Sequence, residues 1–314
     1  MPRLSRRVLL GSAIALPFMS TMALAADKIL ASVPGLSFPF FVHMMNAFKA
    51  EIEKQGYEAI ESDGQVSSPK QTADIEAAIA QGVKGIVISP NEVDAMAPAL
   101  QQAVEANIPV VTVDRRVPSV EGILAHVGAD NVKGGEAQGQ LVMKLFPDGA
   151  TIINLQGQSG ASPAIDRNKG LHNVLDPAKD KYKIVFEQTA GFARDKGLSV
   201  TEAALAALSE PPKVIVAAND DMALGAMEAV KARNLSGIAI IGFDALPEAL
   251  AQVRDGGMTA TIEQFPGKQS ALGVQTLVAF LKDGTKPAEK VLLLTPEAVT
   301  KDNLNIAERL GEVK

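Results

Sequence analysis

A chain of 314 residues with 47% hydrophobic and 21% charged residues has the make-up of an ordinary globular protein, which excludes disorder. Its formal charge of −6, with 36 acidic against 30 basic residues, opposes nucleic-acid binding. It holds no cysteine, which excludes disulfides, thiolate metal sites and a lipid anchor carried on cysteine.

Arg3, Arg6 and Arg7 precede an apolar stretch from Val8 to Phe18, and Ala23-Leu24-Ala25 then gives a small-x-small cleavage pattern. Residues 1–25 are expected to be a cleaved export signal. The apolar stretch is broken by Gly11, Ser12 and Pro17 and is short for a bilayer, so no stable membrane anchor is expected. Ser5-Arg6-Arg7-Val8-Leu9 fits a twin-arginine signal. Cleavage removes three arginines and no acid, which takes the formal charge from −6 to −9. The remaining residues suit two lobes better than one core.

From Asp27 onward, short β-branched runs alternate with amphipathic segments of helical length, the pattern of parallel sheets covered by helices on both faces. The first set predicts strands at 29–33, 57–61, 85–89 and 110–113, with helices near 39–55, 69–81 and 93–107. Each strand is followed by Pro, Ser, Asn or Asp, which stop strands and cap helices. The second set predicts strands at 151–155, 183–186, 214–218, 238–243 and 259–262. Its helices fall near 162–175, 194–208, 221–233 and 266–282. Val110 to Asp114 and Ile238 to Asp244 form a weak internal repeat in which one Asp closes a strand in each set. The fold class expected is α/β, with two doubly wound parallel-sheet lobes.

In such sheets the ligand sits beyond the carboxyl ends of the strands. Phe38, Phe40, Phe41, Asp114, Asn219 and Asp244 all fall there. The chain has no Trp and two Tyr, yet Phe38, Phe40, Phe41, Phe192, Phe243 and Phe265 all sit at strand ends or in loops. Aromatic faces take the C–H surfaces of a sugar, while carboxylates and amides take its hydroxyls. Asn219 is expected as a ligand contact, with Asp220 and Asp221 as helix caps.

These residues resemble the ribose-type periplasmic binding proteins of bacterial ABC importers, which share a fold with the effector domains of LacI-type repressors. The resemblance rests on Phe38-Pro39-Phe40-Phe41, Thr112-Val113-Asp114-Arg115, Asp130-Asn131 ahead of Gly134-Gly135, Asn154-Leu155-Gln156-Gly157, Asn219 through Ala226, Ile241-Gly242-Phe243-Asp244 and Thr261-Ile262-Glu263-Gln264. It implies a hinge of three crossings near 129, 264 and 293. One lobe would comprise 27–129 with 265–293, and the other 130–264 with 294–314. It further implies a periplasmic monomer that clamps a pentose or hexose, a furanose form included, through Phe40, Phe41, Asp114, Arg115, Phe192, Asn219, Phe243, Asp244 and Gln264; Phe38, read from its strand-end position, is expected to join them. A membrane permease is the expected partner and a chemoreceptor a further one; no cofactor is expected. A polyol, an inositol or a furanosyl signal is the alternative cargo.

Two departures bear on the ligand. Phe38 stands where ribose binders have asparagine, and Ile165 where they are expected to carry a ligand-binding arginine. Ala164-Ile165-Asp166-Arg167 is similar to the stretch in galactofuranose-binding relatives, which makes Arg167 the expected contact. Two carboxylates facing a sugar are also the equipment of a glycosidase, but Arg115 and polar neighbours favour ionised acceptors over a proton-donating acid. No catalytic role is expected. His43, His126 and His172 lack metal-ligand spacing, and no phosphate-cradling glycine motif is present. An export signal occupies the place where a repressor would carry its DNA-binding module.

Overall fold

The computed structural model describes residues 26–314, so the signal-peptide expectation for 1–25 lies outside the described residues. Strands β1 (Lys28–Val33), β2 (Glu58–Asp63), β3 (Gly85–Ile88), β4 (Val110–Val113), β5 (Ala125–Ala129) and the late β11 (Val291–Leu294) form one parallel sheet. Their spatial order is β11-β5-β4-β3-β1-β2. A second parallel sheet, ordered β7-β6-β8-β9, contains β6 (Ala150–Gln156), β7 (Tyr182–Thr189), β8 (Val214–Ala217) and β9 (Ala239–Ile241). Strands β10 (Thr261–Glu263) and β12 (Glu297–Val299) pair antiparallel beside it. The doubly wound α/β expectation holds.

Side-chain alternation along each strand feeds two apolar layers, one on each face. In the first sheet, Ile29, Val33, Val87 and Val111 pack with Phe48 of α1 (Pro39–Lys54) and with Val274 and Leu277 of α9 (Pro266–Asp283). Leu30, Ile86, Ile88 and Val110 pack instead with Ile75 of α2 (Ser68–Ala80) and with Met96 and Leu100 of α3 (Val93–Glu105). The second sheet repeats the arrangement with α4 (Asn131–Leu145) and α5 (Ser162–Leu175) on one face. Its other face carries α6 (Arg194–Ala207) and α7 (Asp220–Ala232). The chain passes between the sheets three times: from β5 into α4, from β10 into α9, and from β11 into β12.

Five elements were not expected: β5, α4, α8 (Pro247–Asp255), β11 and β12. His126 and Gly128 interrupt the apolar run of β5, and α8 has only nine residues. Helix α4 hides for a more instructive reason. Its buried face is built from glycines as much as from Leu141 and Val142: α5 presses directly on the backbone at Gly135 and Gly139, and the Phe243 ring lies against Gly134. A Cβ added at Gly135 would lie 2.0 Å from the Arg167 carbonyl oxygen. Glycine thus replaces the apolar periodicity by which such a helix is ordinarily found.

Gly135→Ala should therefore force the two helices apart and lower stability by about 1–3 kcal/mol, the range for overpacking. Urea unfolding followed by circular dichroism checks this; an unchanged midpoint would contradict the close crossing.

Candidate ligand-binding site

Both sheets change winding direction at an inner strand, and their carboxyl ends face each other across a cavity. After β1 the chain enters α1 with Pro39 in its first turn and Phe38 as the capping residue. Phe38 offers no side-chain cap bond, so helix stabilisation is given up for a ring in the cavity wall. Phe38 and Phe41 meet edge to face at 6.2 Å between centroids, and Phe40 and Phe41 at 5.2 Å. The opposite wall carries Phe192, whose φ of 64° is strained for an aromatic residue. Gly157 makes room for that ring, since a Cβ there would stand 2.2 Å from the Phe192 Cζ.

Asp114 and Asp244 close β4 and β9 in matching ways. Both have left-handed backbones, with φ of 62° and 111°. Each donates its backbone N–H to the strand beyond, Asp114 to the Val127 carbonyl at 2.8 Å and Asp244 to the Ile262 carbonyl at 2.7 Å. This bend turns both carboxylates into the cavity, and Asp tolerates it better than a branched residue would. The repeat read from the sequence is thus a repeat in backbone geometry.

Four buried charges sit together: Asp114, Asp244, Arg115 and Arg167. Arg115 Nη1 donates to the Asn91 carbonyl at 2.6 Å and to Gln158 Oε1 at 3.1 Å, and its guanidinium lies 5.1 Å from the Phe41 ring centre. Arg167 donates to Asn131 Oδ1 at 2.8 Å and to the Ala218 carbonyl at 2.6 Å, and stands 3.5 Å from Asp244 Oδ1. Asp114 accepts from Ser89 Oγ at 3.1 Å, and Asp244 from Gln264 Nε2 at 2.6 Å. Burial pushes the Asp114 carboxyl up, against Arg115, Arg167 and Ser89. Burial also pushes Asp244 up, to about 8, with Arg167 opposing this and Asp114 adding to it, so Asp244, expected from its polar neighbours to be an ionised acceptor, instead holds its proton in the ligand-free cavity. Burial lowers Arg115 to about 10, which leaves it charged at neutral pH.

Ten of the eleven expected site residues line this cavity: Phe38, Phe40, Phe41, Asp114, Arg115, Arg167, Phe192, Asn219, Asp244 and Gln264. Phe243 does not. Its ring is fully buried behind Arg167, with the guanidinium 3.5 Å from its centre, so it supports a wall residue through a cation–π contact. Phe265 is also outside the wall and lies against Lys268. Ile165 is 54% exposed on the outer side of α5, so the departure at that position does not alter the cavity. The cap of α7 is Asn219 itself, accepting the Met222 N–H at 3.0 Å. Asp220 instead accepts from the Leu246 N–H and Thr261, and Asp221 pairs with Arg194. Pro163, a further wall residue, and the supporting Ser89, Asn91 and Asn131 were missed; Ser89 and Asn91 follow β3, so the strand-end rule reaches them.

The periplasmic binding protein domain family matches residues 29–286. The chain belongs to the periplasmic binding proteins. The ribose import binding protein of Escherichia coli is 36% identical over 274 residues, 87% of this chain and 91% of that one. The galactofuranose-binding protein of the same species is 33% identical over 297 residues, 92% of each chain. The structure of a Caulobacter myo-inositol binding protein bound to myo-inositol superposes with a TM-score of 0.88 at 40% identity, over 91% of this chain and 97% of that one. As a periplasmic binding protein of this type, the chain is the solute-binding component of a sugar importer and works with a membrane permease. Its relatives are transport binding proteins rather than enzymes.

Because folded Asp244 holds its proton to higher pH than an unfolded aspartate, the ligand-free folded state binds more protons between the ordinary carboxylate range and about pH 8. The stability this contributes is full below that range and is lost as pH rises toward 8. Asp244→Asn should flatten the decline. Urea unfolding of both ligand-free proteins between about pH 5 and about pH 8 checks it; parallel pH profiles would contradict the assignment.

Proposed function

We propose that the cavity clamps one uncharged, hydroxyl-rich ring of monosaccharide size, a pentose or hexose in pyranose or furanose form. The observation that carries this reading is the pairing of two buried carboxylates with two buried guanidiniums in a cavity walled by phenylalanine. Both guanidiniums already have carboxyl and carbonyl partners in the protein, so no charged ligand is called for, while each polar group keeps hydrogen-bonding capacity for hydroxyls. Phe40, Phe41 and Phe192 cover the C–H faces of the ring. Asp114 and Asp244 accept from its hydroxyls, and Arg115 and Arg167 donate to them. Asn219 and Gln264 complete the rim, and the buried Gln264 Oε1, which has no partner among the described residues, takes one more hydroxyl.

In this reading 27–129 with 265–293 close upon 130–264 with 294–314 about crossings near 129, 264 and 293. The ligand favours the closed form through contacts available only there. Export by the twin-arginine route, through Arg6 and Arg7, delivers the protein to the periplasm. The closed shape is what the permease recognises, and a chemoreceptor would recognise it in the same way. A cyclic polyol is the second reading, favoured by the myo-inositol held in the Caulobacter relative and by Phe38, which removes a polar partner where ribose binders have asparagine.

Mass spectrometry of the co-purifying ligand and a thermal-shift panel of ribose, galactose, allose, arabinose and myo-inositol test both readings, since a bound ligand raises the melting point by mass action. At least one panel member should bind. Asp114→Ala should weaken it about tenfold or more, because a buried charged hydrogen bond contributes about 1.5–3 kcal/mol. Unchanged affinity by calorimetry would remove Asp114 from the ligand shell. Phe38→Asn should shift relative affinity toward ribose, and an unaltered ranking would leave Phe38 without a selective role.

A further inference from the structure

The two lobes touch at a second place, on the rim and outside the cavity. The loop after β3, the start of α3 and the loop after β4 supply Asn91, Val93 and Arg116; the turn after β6 and the start of α5 supply Gln158, Gly160, Ser162 and Asp166. Arg116 forms a two-pronged ion pair with Asp166, whose second bond, Nη2 to Oδ1, is 3.0 Å. The Arg116 backbone N–H donates to Ser162 Oγ at 3.0 Å, and the Val93 N–H donates to the Gly160 carbonyl at 2.9 Å. Gln158 Nε2 donates to Asn91 Oδ1 at 3.2 Å.

None of these bonds requires a ligand, and all of them join one lobe to the other. Arg116 follows the cavity residues Asp114 and Arg115, and Asp166 precedes Arg167, yet neither lines the cavity. Their side chains are 38% and 11% exposed, so the pair is neither fully solvated nor sealed. A planar guanidinium matched to a carboxylate by two parallel bonds is the ion-pair geometry with most to contribute at such a place.

We infer that Arg116 and Asp166 form a latch that favours closure independently of the ligand and so sets affinity for every ligand by a common factor. The latch separates strength from selectivity: cavity residues choose the ligand, and the rim pair fixes how readily the closed state forms around it. It also makes the affinity for an uncharged ligand depend on salt, because a partly exposed ion pair is screened when the Debye length falls from about 30 Å at 0.01 M to about 3 Å at 1 M. This inference rests on the clamp reading, and its test includes a measurement that needs no ligand.

The test uses Arg116→Met, Asp166→Asn and the double variant, with melting points to confirm folding. Each single variant should weaken all binding members of the sugar and polyol panel by about two- to fivefold, without reordering them. The double variant should be no weaker than the singles, and the salt dependence of the wild type should be lost. In the ligand-free protein, spin labels at Ala73→Cys and Asp195→Cys, exposed positions in a chain free of native cysteine, should report a smaller short-distance population in the variants. Losses confined to some ligands, or a changed ranking, would put Arg116 in the ligand shell and overturn the latch. Unchanged affinity together with an unchanged ligand-free distance distribution would also overturn it. Failure of every panel member to bind would count against the clamp reading, while the ligand-free distances would still decide the latch.

Discussion

Four charges without solvent dominate this molecule. Each of Asp114, Asp244, Arg115 and Arg167 costs several kcal/mol to remove from water, and only mutual compensation makes their shared burial tolerable. Their placement draws on both sheets, because Asp114 and Arg115 come from the end of β4 while Asp244 and Arg167 come from the end of β9 and from α5, which packs on the second sheet. Their shared burial is tolerable only through mutual compensation or a ligand's hydroxyls. The upward shift of Asp244 to about 8 expresses that tension, since an empty closed cavity favours the proton there.

Local rules of chain structure are broken where this cavity demands it. Asp114, Phe192 and Asp244 hold left-handed backbones, and Phe38 occupies a capping position without capping. Each departure costs stability, and each brings a side chain into the cavity wall. The surrounding apolar packing is continuous enough to hold them: Phe40, Phe41 and Phe192 belong to one buried cluster that includes strand residues of both sheets. Asn131 and Phe243 behind the wall, and Asn219 within it, fix their neighbours so that little side-chain freedom remains to be lost on binding.

What could be read from the sequence follows from how local each signal is. Strands such as Ile29 to Val33 and Val110 to Val113 are continuous apolar runs closed by turn residues, and the rule that ligands meet strand ends then finds Asp114, Asn219 and Asp244 directly. Helix α4 was illegible because glycines, chosen for close contact with α5, replaced the apolar stripe. Position on α5 could not be judged from spacing alone: Ile165 faces outward and Arg167 inward, two residues apart on a helix. Phe243 illustrates a different limit, since a strand-end aromatic can support the cavity from behind. Pairings across lobes, such as Arg116 with Asp166, join residues 50 positions apart and leave no local trace.

A crystal structure of the protein with a co-purified or panel ligand tests the central claim most directly. The account predicts one neutral ring with its faces against Phe41 and Phe192 and its hydroxyls within hydrogen-bonding distance of Asp114 from one lobe and Asp244 from the other. A ligand held by one lobe alone, or a charged ligand that displaces one of the buried ion partners, would contradict it.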